Sequence, residues 1–285
     1  MALELPTSLS PSKVSSFTDC ALSFRFSAID KIPQPPTVAT VKGTLVHAAL
    51  ERLLALDPAE RTLDAAVACL ADATSLLDSD NEWAELALNA DEQATFFRDA
   101  DVLVHKYFEV EDPTSIEPIG LELHVEHQLP VKDGTHVTLR GIIDRLERDE
   151  NGKLVVSDYK TGKAPAAGYQ QSRLTGVHIY AYLCEQIYGE RPSKVQLIYL
   201  GGTPTIVETT PTEQSTRQIE RKVTSIWSAI ETACERNDFR PKKSKLCSWC
   251  SYQKWCPEFG GTPDEAREAY ANGERPVRLN GFGTV

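Results

Sequence analysis

KLVVSDYKTGK, residues 153–163, is the stretch whose reading decides the fold. It runs apolar through Leu154, Val155 and Val156, then sets Asp158 and Lys160 two residues apart, and breaks at Thr161-Gly162. A short β-branched run bounded by glycine reads as a buried strand. Side chains alternate along a strand, so Asp158 and Lys160 face the same way. The chain thus places a carboxylate and an ammonium at the mouth of a buried strand, ahead of a glycine turn.

Two further strands precede it. IGLELHVEHQL (119–129) alternates Leu121, Leu123 and Val125 with Glu122, His124 and Glu126, and HVTLRGIIDRLER (136–148) follows an Asp133-Gly134 turn. Asn151-Gly152 then leads into the DYK strand, which predicts three antiparallel strands in succession. Adjacent antiparallel strands can bring Asp144 beside Asp158. Two carboxylates that close repel unless a cation sits between them, and hard Mg2+ or Mn2+ prefers oxygen ligands. Lys160 would then position a water and neutralise charge developing on a phosphate. The competing reading is a plain surface salt bridge.

Upstream, the first 110 residues are read as mostly helical, with helices near 39–56, 62–77 and 91–109. In the first of these, His47 and Glu51 share a face at i, i+4, and the imidazole is a candidate nitrogen ligand for the same cation. Glu122 is a surface carboxylate unless its strand neighbours the site. Downstream the pattern predicts a helix at about 167–188, strands KVQLIYL (194–200) and TIVETT (205–210), and a long helix at about 211–236.

The cysteines form a second constellation. Seven of them in 285 residues is an odd number, and Cys247-x2-Cys250-x5-Cys256-Pro is a ligation spacing rather than a disulfide framework. Cys20 is the candidate fourth ligand. One CxxC pair, one trailing Cys-Pro and one distant cysteine suit a cubane iron–sulfur cluster, with zinc as the alternative. Either would clasp the two ends of the chain. Cys69, Cys184 and Cys234 lie in helical patterns and read as small buried apolar groups. Lys242, Lys243, Lys245 and Lys254, interleaved with Trp249, Tyr252 and Trp255, suit single-stranded nucleic acid or, equally, a solvated lysine run over packed aromatics.

Composition bounds the rest. With 41% hydrophobic and 25% charged residues the chain is ordinary for a globular protein. A net charge of −11 disfavours nucleic acid as a whole-surface partner but not a locally basic patch. No basic-then-apolar leader and no run of membrane-spanning length is present, so a cytoplasmic location without membrane contact is expected. There is no GxxxxGK[ST] loop, hence no sign of ATP hydrolysis, and nothing in the sequence supports a helicase partner.

Together these residues resemble a RecB-family exonuclease of the PD-(D/E)XK nuclease superfamily, in the iron–sulfur branch that includes the CRISPR adaptation nucleases and AddB-type nuclease domains. SSFTDCALSFRF (15–26), GTLVHAALERL (43–53), GIIDRLE (141–147), VSDYKTGK (156–163) and LCSWCSYQKWCP (246–257) carry the likeness. The resemblance implies an α/β fold with a mixed central sheet flanked by helices, a helical insertion and a C-terminal iron–sulfur segment. It implies His47, Asp144 and Asp158 as Mg2+ or Mn2+ ligands, Lys160 as the catalytic lysine, and Cys20, Cys247, Cys250 and Cys256 as 4Fe-4S ligands. The family's Gln-x-x-x-Tyr helix aligns Tyr180 with its tyrosine, as a catalytic or supporting residue, but leaves Gly176 where glutamine is expected; His178 and Tyr182 are an alternative pair.

The expected segments are 1–36 with the first cluster cysteine, 37–110 with the histidine, a nuclease core at 111–240, a cluster segment at 241–262 and a tail at 263–285. The expected function is metal-dependent hydrolysis of DNA, as an exonuclease on single strands or ends, in repair or recombination. The alternative is a non-catalytic DNA-binding or scaffold subunit with a vestigial site.

Overall fold

The structure, a computed structural model, describes residues 2–277, so the last residues of the tail lie outside the described residues. It divides into two compact units.

The larger unit comprises 36–127 and 141–219. In chain order it begins with a helical layer. Elements β1 (Ser8–Leu9), α1 (Pro11–Asp19) and α2 (Ala21–Phe24) precede it in the other unit; here come α3 (Val38–Leu54), α4 (Leu63–Thr74), α5 (Asn81–Leu86) and α6 (Ala90–Tyr107). Thr37 and Thr40 form a capping box at the start of α3, and Asn89 and Glu92 do the same for α6. Val41, Leu45, Val46, Ala49, Leu50, Leu53 and Leu54 of α3 are buried together with Leu70, Phe96, Val104 and Tyr107. That cluster closes over Tyr159, Ile198 and Leu200 of the sheet.

The sheet follows as β2 (Pro118–Pro130), β3 (His136–Arg148), β4 (Leu154–Lys163), helix α7 (Ala167–Tyr188), β5 (Lys194–Gly201) and β6 (Thr205–Thr209). β2 pairs with β3. Pairing is antiparallel between β3 and β4, parallel between β4 and β5, and antiparallel between β5 and β6, so the sheet is mixed, as expected. Residues Leu154–Tyr159 are all buried, the pattern of a strand with both faces covered. The β3–β4 register pairs Arg145 with Ser157, and the next step carries Asp144 to the level of Asp158.

One local expectation changes. Thr161-Gly162 does not turn the chain; β4 continues to Lys163 with a register shift between Lys160 and Lys163. The close approach of the two strands falls on Gly201, where a Cβ would lie 2.5 Å from the Gly162 carbonyl carbon, whereas a Cβ on Gly162 itself would meet open space. The short helix α5 and the two-residue strand β1 had no periodic signal in the sequence.

The smaller unit comprises 1–35, 128–140 and 220–285. β1 pairs in parallel with Thr138 and Leu139 of β3. Ser10 caps α1, its hydroxyl accepting from Lys13 N–H, and α2 runs into a π turn at Arg25–Ile29. Helix α8 (Glu213–Arg236) contributes its later turns, followed by short 3-10 turns and α9 (Ala266–Ala271). Early and late segments lock together here. Tyr252 donates to the Ile32 carbonyl at 2.7 Å, its ring lies 5.2 Å from that of Phe26, and buried Arg25 and Asp30 pair with each other and with Asp264 and Arg267. Among the described residues no helix is long and apolar enough to cross a membrane.

Candidate functional site

His47 sits midway along α3, clear of that helix's buried stripe, where it meets the end of β4. Its Nε2 lies 3.0 Å from the Tyr159 carbonyl, which accepts the proton of that nitrogen. That hydrogen bond turns Nδ1 toward two carboxylates, 3.5 Å from Asp144 Oδ2 and 3.8 Å from Glu122 Oε1. A backbone carbonyl on one ring nitrogen leaves the other, once it gives up its proton to solvent, aimed at the carboxylates in the way a metal-binding imidazole is commonly oriented.

Asp144 lies on β3, where Oδ2 accepts the Tyr159 N–H at 2.7 Å. Asp158 is its cross-strand neighbour, and its Oδ2 is buried with no hydrogen-bond partner, in ion contact with the Lys160 ammonium. Burial, reinforced by the Asp158 charge, pushes the Asp144 carboxyl up to about 7. Burial opposes protonation of His47, but the Glu122 hydrogen bond and the charges of Asp144, Asp158 and Glu122 outweigh it and raise its pKa. The site is therefore an excess of negative charge with too few protons to settle it.

Tyr180, on α7, points into the same place. Burial raises its phenol, and Asp158, Asp144 and Glu122 raise it further. Its ring leans on Gly141 of β3 so closely that a Cβ there would lie 2.6 Å from Tyr180 Cε1. His178 and Tyr182, the shifted alternative, are buried in the same helix, and the Tyr182 ring packs 6.0 Å from His127. Gly176 has open space where a side chain would begin.

The structure thus brings together His47, Asp144, Asp158, Lys160 and Tyr180, and adds Glu122. Ligand atoms of His47, Glu122 and Asp144 all lie within 4.8 Å of one another. Glu122 reaches the site through a backbone φ of 41°, a left-handed conformation that costs a non-glycine residue about 1 kcal/mol or more. The alternation of β2 could not reveal this, although Gly120 just before it hinted at an irregular strand. One imidazole and several carboxylate oxygens, among them the buried Asp158 Oδ2 with the Lys160 ammonium beside it, make a donor set suited to a hard divalent cation.

In the smaller unit, Cys20, Cys247, Cys250 and Cys256 are free thiols of intermediate exposure. Burial raises Cys250, and Cys20, Cys256 and Cys247 all add to the rise. Burial likewise raises Cys256, with Cys20 and Cys247 adding. Backbone N–H groups point at the sulfurs: Ser244 donates to Cys247 Sγ at 3.4 Å, Tyr252 to Cys250 and Glu258 to Cys256. Cys69, Cys184 and Cys234 are buried, as their helical positions implied. Of the flagged lysines, Lys242 donates to the Thr18 carbonyl at 3.0 Å, Lys243 lies 3.6 Å from Glu258, Lys254 pairs with Glu274, and Lys245 is exposed.

Comparison with known proteins agrees with the geometry. The chain is 26% identical over 271 residues to the Gene 69 protein of Mycobacterium phage D29, spanning 88% of this chain and 96% of that one. A crystal structure of a candidate exonuclease from Eubacterium rectale shares the fold with a TM-score of 0.52 at 12% identity, covering 86% of this chain and 88% of the other. Residues 8–257, which include both constellations, match the PD-(D/E)XK nuclease superfamily, and the chain belongs to that superfamily.

Proposed function

We propose that the protein is a Mg2+- or Mn2+-dependent deoxyribonuclease of RecB-family type, acting as an exonuclease on single strands or ends in DNA repair or recombination. The observation that carries this is the convergence of His47, Asp144, Asp158 and Lys160, with Asp158 Oδ2 buried and otherwise unbonded. His47, Asp144 and Asp158 would hold the cation, with Glu122 as an added oxygen donor. When bound, the cation supplies positive charge to the scissile phosphate and its attacking water. Lys160 orients that water and faces the charge that builds on the phosphate. Tyr159 fixes two of the ligands through its backbone. Tyr180 supports the carboxylates from α7.

The four thiols are proposed to hold a 4Fe-4S cluster. Support comes from their spacing, their mutual electrostatic influence and the N–H groups aimed at three sulfurs, a common surrounding for cluster thiolates. Tetrahedral zinc, with Zn–S of about 2.3 Å, is the alternative that the same four thiolates could hold. Iron and sulfide analysis of anaerobically purified protein checks this; a colourless preparation holding one zinc overturns it. We place the protein in the cytoplasm.

Incubation with end-labelled single- and double-stranded DNA and Mn2+ tests the activity. Degradation that Asp158→Ala and Lys160→Ala abolish, with folding intact, is expected; equal cutting by those variants refutes the site. Gly176, standing where the family has glutamine, favours the second reading of a vestigial site in a DNA-binding subunit, and wild-type protein inert with both metals would establish that one.

A further inference from the structure

The chain carries a net charge of −11, yet between Asp238 and Glu258 it holds Arg240, Lys242, Lys243, Lys245 and Lys254 and no carboxylate. Within this stretch lies a 3-10 turn, Lys245–Trp249. Three residues per turn make positions i and i+3 eclipse. Cys247 and Cys250 therefore share one side, and Leu246 and Trp249 share another. The cysteine side is partly covered, whereas Leu246 is 55% and Trp249 61% exposed. The same segment buries its other aromatics, Tyr252 at 0% and Trp255 at 3%. Trp249 is thus held out of a core that its neighbours enter.

The turn is also braced. Ser244 Oγ accepts from Leu246 N–H at 3.2 Å, Cys250 N–H donates to the Cys247 carbonyl at 3.2 Å, and Ser248 Oγ donates to the Lys245 carbonyl at 2.8 Å. A rigid aromatic face loses little conformational freedom on binding. Lys245 has no ion pair among the described residues.

We propose that this turn is a stacking platform for single-stranded nucleic acid, with Trp249 and Leu246 receiving an unstacked base and Lys245 contacting the adjoining phosphate. Every base has a π face, so such a contact is sequence-tolerant. Arg240, Lys243 and Lys254 are paired with Asp238, Glu258 and Glu274, so the charge that favours a phosphate beside the exposed ring is that of Lys245. The inference rests on the nuclease reading only for the class of ligand.

Fluorescence anisotropy with labelled oligothymidylate, in EDTA so that no cleavage occurs, tests it on the full chain. Trp249→Ala should weaken binding about tenfold, Trp249→Phe should retain most of it, and Lys245→Ala should lower the salt slope by about one. Since Trp249 is exposed, thermal midpoints should not move. Wild-type protein that fails to bind, or Trp249→Ala that binds equally well, overturns the platform. So does a Trp249→Ala effect confined to self-association in sedimentation, which would make the patch a protein contact. Asp158→Ala separates the two readings: it should keep oligothymidylate binding while cleavage is lost. If wild type never cleaves but Trp249→Ala still loses binding, the nuclease reading falls and the platform stands.

Discussion

The backbone N–H of Tyr159 donates to Asp144 Oδ2 at 2.7 Å while its carbonyl accepts from His47, so one peptide segment of β4 sets both groups. Its side chain goes the other way, into the helical cluster, where its hydroxyl accepts from Arg145 Nη1 at 2.7 Å. Arg145, fully buried, also grips Glu111 with both terminal nitrogens and reaches Ser157 Oγ at 3.0 Å. Asp144 and Arg145 are consecutive on β3, so the strand presents its acid to the site and its cation to the interior scaffold.

This division predicts separable effects. Tyr159→Phe removes one interior hydrogen bond and should cost about 1 kcal/mol in urea unfolding while cleavage persists, because the site uses only the backbone. Arg145→Met strands the Glu111 and Glu147 carboxylates and should cost about 3–5 kcal/mol. A large loss of activity in Tyr159→Phe at unchanged stability would contradict the backbone argument.

Gly141 and Gly176 predict opposite outcomes. A methyl on Gly141 meets the Tyr180 ring at 2.6 Å and must displace it, so Gly141→Ala should reduce cleavage by an order of magnitude or more if Tyr180 supports the carboxylates. Gly176 lies within α7 with free space around its Cα, so Gly176→Gln should stabilise the helix by about 1 kcal/mol and raise the thermal midpoint by about 2 °C. Calorimetry and initial rates on the two variants check both.

Much of this was legible before coordinates. The alternation of β2, the two glycine turns and the apolar run before Asp158 define a meander that leaves Asp144 and Asp158 side by side. The spacing of α3 leaves His47 off the apolar stripe. What escaped was tertiary or conformational in origin. Periodicity says nothing of a positive φ, so Glu122 stayed a surface acid. Nor could it tell that Thr161-Gly162 continues the strand rather than turning it, or that the close strand approach is met by Gly201 on the neighbouring strand. Trp249, Tyr252 and Trp255 look alike in sequence, and only packing against Phe26 separates the last two from the first.

The raised pKa values of Asp144 and His47 give a signed pH dependence. A group whose folded pKa exceeds its unfolded value stabilises fully below the unfolded pKa and loses that contribution as pH rises through the folded one. For Asp144 the window runs from about 4 to about 7. For His47 it opens near 6.5 and extends upward. Metal-free protein should therefore lose stability as pH rises from about 4 through about 7 and beyond. A divalent cation replaces the missing protons, so the rise in thermal midpoint on adding Mn2+ should grow across the same range. A Mn2+ shift independent of pH, or one retained in Asp144→Asn, would remove these groups from the cation site.

Glu122 provides the sharpest test of what the site costs the fold. Its left-handed backbone is unfavourable for glutamate and free for glycine, while glycine also gives the unfolded chain more freedom. The two effects are each about 1 kcal/mol and opposed, so Glu122→Gly should leave the urea midpoint of metal-free protein nearly unchanged. The carboxylate itself would be gone, taking with it one oxygen beside His47 Nδ1. Mn2+ affinity, read from the concentration dependence of the thermal midpoint, should then fall about tenfold or more, the size of loss typical when a supporting group near a metal is removed. A variant that unfolds more easily yet binds Mn2+ unchanged would mean that the strained residue serves the strand and not the cation.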